Sequence, residues 1–499
     1  MSLTGGIGTG HSKRRPFHPA AIGLWPVFVV LLAGLAVSAS GGGPQTLPDY
    51  PTRAEAGGRG PEASNAGTAD LAQDAGLSDY VIYAELNNPG LRAAFDEWKS
   101  ALERVPQAGS LPDPRFTYTY YVRAVETRVG PQERSFALMQ TLPWIGKLRA
   151  RSTMASREAE AAYERYEAAR LRLRYQVTEA YYDYYYLARA IAITENDAAL
   201  LTDFEEVART KYKVGTVPYS ALMKAEVERG KLDDDLATLR DMRWPAAAKL
   251  NDALGRPPDT LVPWPERVVT GDIDLDDAGL EAELGRNNPE LRALEITSSR
   301  EEAAVGLARQ GYIPDITLGA SVIETGSALN PGTRDSGKDP VMASISINLP
   351  IWIGKYRAAE REARARLRAS LDRRQDRENR LLSDLKLTVF NFHAAQRKVD
   401  LYGESLIPKA QQALTASRRA FAADQADFFD LIEAERTLLE FQLAYERAFA
   451  DRAQRIAEIE MLTGRDLQAG PGAEPGQTRV DGTGSNGGNV PGPVPGQAR

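Results

Sequence analysis

The chain has 499 residues, enough for two or three ordinary domains, and 43% of them are hydrophobic, so a substantial core is available. A formal net charge of −7 gives no basic footprint for nucleic acid. There is no cysteine, and the histidines are His11, His18 and His393, which excludes disulfides, thiolate chemistry and a His-based metal site, and no cofactor is expected.

Residues 1–39 have the order of a secretory signal: basic Lys13, Arg14 and Arg15, an apolar run from Ala20 to Val37, then small residues at Val37-Ser38-Ala39-Ser40. Removing them would take the net charge from −7, less three positive charges, to −10. A retained anchor is the alternative reading of the same run. Residues 40–76 and 468–499 are rich in Gly and Pro and show no apolar period, so they read as a disordered linker and tail.

The intervening chain reads as two repeats, 77–270 and 271–467. Asn87-Asn88-Pro89 with Leu91-Arg92-Ala93 recurs as Asn287-Asn288-Pro289 with Leu291-Arg292-Ala293. Leu142-Pro143-Trp144-Ile145-Gly146-Lys147 recurs as Leu349-Pro350, an inserted Ile351, then Trp352-Ile353-Gly354-Lys355. Ala225-Glu226 and Gly255-Arg256 recur as Ala434-Glu435 and Gly464-Arg465. Three matches in one order indicate a duplication.

Each repeat opens with a helix of about 20 residues at its Asn-Pro signal, where Pro is tolerated in the first turn. Two alternating runs follow, near 116–122 and 135–141, and near 315–323 and 341–348. Phe116, Tyr118, Tyr120 and Val122 alternate with Thr117, Thr119 and Tyr121, and Val341, Ala343, Ile345 and Ile347 alternate with Met342, Ser344, Ser346 and Asn348. A period of two predicts strands, and the polar segments 123–134 and 324–340 predict hairpin loops. From Lys147 to Val214 there is no Gly or Pro, which predicts a helix about 100 Å long. The second repeat matches it from Lys355 to about Tyr402, with a kink expected near Gly403 and Pro408. Both helices turn, at 214–218 and 424–427, and return to end near Gly255 and Gly464.

Four amphipathic strands cannot stand alone in lipid, because an open sheet leaves unpaired edges. Several copies pooling their strands into one closed barrel would resolve this. Trp144 and Trp352 follow the strand pairs and read either as interfacial anchors at the barrel rim or as packing residues. A soluble sheet packed on helices is the competing reading.

In this order of elements the chain resembles the TolC-like outer-membrane efflux family, over about 77–467. The Leu-Pro-Trp-Ile-Gly-Lys element is similar to that of heavy-metal efflux outer-membrane components. The resemblance implies an α+β membrane protein, a trimeric twelve-stranded β-barrel continued by a periplasmic α-helical barrel. It further implies the outer membrane as location, a homotrimer, docking to a periplasmic adaptor and an inner-membrane pump, and no catalysis. Metal cations are the first substrate expectation, with drugs, dyes and polypeptides as alternatives.

Tyr212-Lys213-Val214-Gly215-Thr216 resembles the family's tip turn, so Val214, Gly215 and Thr216, with Phe421 and Ala426 of the second turn, are candidate docking residues. The second turn departs from the pattern with Phe421-Ala422-Ala423-Asp424. Phe421 and Ala426 stand where the founding member uses a Tyr and an Arg to latch its closed tip, so the latch must differ here. Asp430 and Glu433 match the family's acidic constriction and, in a trimer, would form carboxylate rings favouring cations. Asp424 and Asp427 join them as gate candidates, although all four also read as helix-start acids favoured by the dipole.

Other chemistry is not legible. Asp233-Asp234-Asp235 reads as a solvated face, the tyrosines from Tyr181 to Tyr186 as core, and His393 as a packed or surface residue. The rival classes are a periplasmic or secreted coiled-coil scaffold, which predicts no strand pairs, and a periplasmic enzyme, for which no polar constellation is found.

Overall fold

Helix propensity and the spacing of Gly and Pro set the element order. The computed structural model describes residue 71 and residues 75–265, 275–465 and 467, all within the Gly57–Arg499 unit of the chain. The expected signal segment, nearly all of the 40–76 linker and the 468–499 tail lie outside the described residues.

The first half runs α1 (Leu77–Asn87), α2 (Pro89–Gly109), β1 (Arg115–Thr127), β2 (Gly130–Leu142), α3 (Ile145–Lys213), α4 (Tyr219–Asp241) and α5 (Arg243–Leu254). The second runs α6 (Asp277–Asn287), α7 (Pro289–Gln310), β3 (Ile316–Thr325), β4 (Val341–Ile347), α8 (Ile353–Asp400), a π-helical segment (Leu401–Leu406), α9 (Ile407–Ala422) and α10 (Phe428–Thr463). The helix expected at each Asn-Pro is therefore preceded by a separate shorter one, α1 or α6. At 69 residues α3 is the longest element.

Two prolines explain the interruptions between α4 and α5 and between α8 and α9. Pro245, third in α5, has no N–H for the Asp241 carbonyl, and the return helix breaks at Met242. Pro408 likewise has nothing to donate to Glu404, and the chain widens into the π turn just before it. Gly403 within that turn lets α10 approach, since a Cβ there would lie 2.9 Å from Tyr445 Cε2.

The repeated Asn-Asn-Pro and Gly-Arg motifs touch one another. The Asn288 side chain accepts from Leu291 N (3.1 Å), capping α7, and donates to the Leu462 carbonyl (2.9 Å) at the end of α10. Asn88 does the same for α2 and α5, through Leu91 N (3.1 Å) and the Ala253 carbonyl (3.0 Å). Gly255 and Gly464 end the return helices with φ of 72° and 70°, and a Cβ on Gly464 would come within 2.8 Å of the Asn287 carbonyl. Replacing Asn288 with Ala removes a cap and leaves a buried carbonyl unpaired, so a loss of about 2 kcal/mol is expected. Thermal unfolding followed by circular dichroism checks this, and an unchanged midpoint contradicts it.

All four strands form one antiparallel sheet in the order β1-β2-β3-β4. The middle seam joins the two halves, from Gln132 opposite Thr325 to Leu142 opposite Ile316. Register places Tyr118, Phe136, Val322 and Val341 in one row and Phe116, Leu138, Ala320 and Ala343 in the next, on the same face. That face is open: Val122 is 88% exposed and Ile345 72%. A soluble sheet packed on helices would bury it, and a helical scaffold would have no sheet, so neither alternative describes the fold. The hairpin loop expected over 123–134 is mostly strand. β1 continues to Thr127 and β2 begins at Gly130, leaving a turn at Arg128 and Val129. Polar residues there follow from an exposed strand as well as from a loop, and composition cannot separate the two.

Candidate functional site at the hairpin tips

The two turns that end the long helices are built alike. In the first, Thr216 N donates to the Lys211 carbonyl and Gly215 N to the Tyr212 carbonyl, each at 3.0 Å. In the second, Gln425 N donates to the Ala420 carbonyl (2.8 Å) and Asp424 N to the Phe421 carbonyl (3.3 Å). These are Schellman closures, which place their next-to-last residue in the left-handed region. Gly215 takes φ 81° without strain, and Asp424 takes φ 58° at a cost of about 1 kcal/mol. The Lys211 ammonium offsets that cost. It pairs with the Asp424 carboxylate, lies 5.0 Å from the Phe421 ring centroid and ties the end of α3 to the end of α9.

Phe421 is 3% exposed and packs at a tilt on Phe428, ring centroids 5.4 Å apart, in a cluster with Leu201, Phe204, Leu414 and Leu431. Its ring therefore plugs the tip core and presents no docking surface. Val214 is exposed, Gly215 faces open space, Thr216 Oγ1 caps the Lys211 carbonyl (3.0 Å), and Ala426 is half-buried.

The four acids separate by what they touch. Asp424 is engaged by Lys211, and Asp427 caps α10 by accepting from Phe429 N (3.4 Å). Asp430, in the first turn of α10, and Glu433, in the next, are both exposed, on the side away from buried Leu431 and Ile432. Neither makes an ion pair with any described residue. Asp424 and Asp427 are thus engaged by specific partners, Asp430 has only the favourable helix dipole at its position, and Glu433 has neither.

Sequence reasoning missed a buried acid pair above the tip cluster. Asp197 of α3 meets Glu435 of α10, and burial raises both carboxyls above the usual range. Asp197 adds to the rise at Glu435, first by its hydrogen bond and then by its charge. The signal was available, because Asp197 interrupts the helical stripe Ala190, Thr194, Leu201 and Phe204, and Glu435 the stripe Leu431, Leu438 and Leu439.

At the other end of the long helices, Trp144 and Trp352 are exposed beside the strand ends. Asp233, Asp234 and Asp235 are solvated, the tyrosines between 181 and 186 pack in the core or at its edge, and His393 lies 3.4 Å from Asp277. Among the described residues no group of His, Asp and Glu is placed to hold a metal ion, and no helix is long and apolar enough to cross a membrane.

An open apolar sheet face carried on long helical hairpins is the architecture of a membrane-inserted sheet with a helical extension. The chain belongs to the outer membrane efflux protein family, which it matches over residues 83–256 and 282–465. It is similar to nodulation protein T of Rhizobium leguminosarum bv. trifolii, 22% identical over 88% of this chain and 96% of that protein. It is also similar to the cobalt-zinc-cadmium resistance protein CzcC of Cupriavidus metallidurans, 24% identical over 91% of this chain and all of that one. The fold matches the outer membrane protein VceC of Vibrio cholerae with a TM-score of 0.65 at 19% identity, covering 78% of this chain and 96% of that one. The open state of the MtrE outer membrane channel of Neisseria gonorrhoeae gives 0.63 at 20% identity, covering 82% and 94%. This TolC-like chain is an outer-membrane exit duct for efflux, extends into the periplasm and is not an enzyme.

Proposed function

We propose that three copies of this chain, each with repeats spanning 77–270 and 271–467, close their sheets into one barrel that opens into a periplasmic helical tube. The observation that carries this reading is a four-stranded sheet with two free edges and an uncovered apolar face. Closure removes the edges, and lipid covers the face. Val214, Gly215, Thr216 and Ala426 then form the surface that meets a periplasmic adaptor, which couples the duct to an inner-membrane pump. Asp430 and Glu433 ring the periplasmic mouth, with Asp427 and Asp424 shaping the turn behind them.

Metal cations are the proposed cargo. The free carboxylates at the tip favour cations, and likeness to a cobalt-zinc-cadmium resistance protein supports the same class. Purified protein added to a planar lipid bilayer is expected to give discrete single-channel steps with cation preference. A protein that binds the bilayer without conducting would overturn the reading.

A further inference from the structure

The junction between β2 and α3 is clamped to the start of β3. Lys147 is 8% exposed, and its ammonium donates to Asp315 Oδ1 (2.8 Å) and to the Ile313 carbonyl (2.7 Å). Trp144 N donates to the same Asp315 oxygen (3.1 Å). Both sides of this clamp recur. Lys147 closes Trp-Ile-Gly-Lys and so does Lys355, and Ile313-Pro314-Asp315 recurs as Leu111-Pro112-Asp113. The second pair is not made within the chain, because Lys355 follows β4 and Asp113 precedes β1, the two edges of the sheet, about 14 Å apart. Both residues are exposed, and neither makes an ion pair with a described residue.

Strand register says the same. Moving β1 by 202 positions and β2 by 207 turns the pair Arg115–Met139 into Thr317–Ser346 and Phe116–Leu138 into Leu318–Ile345, which are observed pairs of β3 and β4. The first shift also carries Asp113 to Asp315, and the second carries Leu142-Pro143 to Leu349-Pro350. The same shifts applied to the β2–β3 seam turn Leu138–Ala320 into Ile345–Tyr118, and Gln140–Leu318 into Ile347–Phe116.

We propose that Lys355 of one protomer pairs with Asp113 of the next, and that β4 joins the neighbouring β1 with Ile345 opposite Tyr118. The chain's own central seam is the template for its subunit seam, and the proposal rests on the homotrimer reading above. The absence of native cysteine makes the test clean. Full-length chain carrying Tyr118→Cys and Ile345→Cys, oxidised in cell envelopes, should run on a denaturing gel as a ladder ending at three chains. Tyr120→Cys with Ile345→Cys places the Cα atoms about 7–8 Å apart, beyond disulfide reach, and should lose most of that product. Phe116→Cys with Ile347→Cys should cross-link like the first pair, and stands in for it if the first variant fails to insert. Lys355→Asp should weaken the resistance of the trimer to detergent dissociation, and adding Asp113→Lys should restore it. A three-chain mass in mild detergent with cross-linking only in the shifted pair overturns the register, and unrescued or absent weakening overturns the ion pair. Loss of the three-chain mass in the native protein would instead sink the homotrimer reading itself.

Discussion

Replacing Asp430 with Asn and Glu433 with Gln in one chain is expected to lower the cation preference of the channel while leaving folding and assembly intact. Both side chains are exposed and make no ion pair with a described residue, so nothing in the packing depends on them. Substitutions at such positions typically change stability by less than about 0.5 kcal/mol. Their effect on permeation is larger, because three copies would set six carboxylates at one constriction, and a ring of one sign enriches counter-ions about tenfold or more. Changing both to Lys should carry the preference over to anions. Asp427→Asn serves as the contrast, since amide and carboxylate both cap a helix and selectivity should barely move. Reversal potentials across a salt gradient measure all three, and unchanged selectivity in the double neutral variant would leave Asp430 and Glu433 as helix-start acids only.

The buried pair above the tip gives the second large effect. Glu435 is 3% exposed. Burial raises its carboxyl above the ordinary value of 4.5, and the facing Asp197 of α3 and Glu228 of α4 raise it further against the opposing Arg436 of α10. Glu228 is itself held charged by Lys224 and Lys231. A carboxyl raised in the folded state binds a proton that the unfolded chain has already released. Its stabilisation is therefore complete below about the unfolded value and is lost as pH rises toward the folded one, by up to about 1.4 kcal/mol per pH unit. Glu435→Gln keeps a neutral donor toward Asp197 and removes the titration. The variant should melt higher than the parent at pH 8, match it near pH 4, and show a flatter profile between. Helical circular dichroism across that range decides the matter, and a variant less stable than the parent at pH 8 contradicts it.

Much of the architecture was legible because its signals are long or repeated. An uninterrupted run from Lys147 to Val214 leaves the backbone one regular option, and alternation at Phe116 to Val122 and Val341 to Ile347 leaves it another. The duplication states each signal twice, and Gly255 and Gly464 cap the return helices as expected. Contacts between distant segments were not legible. That Asn88 and Asn288 bind the ends of α5 and α10 depends on pairings 165 and 174 residues apart. The tip shows the same limit. Phe421 and Ala426 lack the Tyr and Arg of the family's latch, and the ion pair that Lys211 of the other hairpin makes with Asp424 is not visible from the turn's own residues. Nor could spacing alone separate Asp427, which caps a helix, from Asp430, which does not.

If three copies pool their strands as proposed, each sheet is one third of a closed barrel. Mass measurement of the full-length protein, extracted from membranes in mild detergent and corrected for bound detergent, tests it most directly. Three chains per particle, stable on dilution, are expected, because separating the protomers would expose β1 and β4 edges in an apolar medium at a cost of several kcal/mol for each unpaired group. A particle of one chain, or a protein that leaves the membrane without detergent, would contradict it.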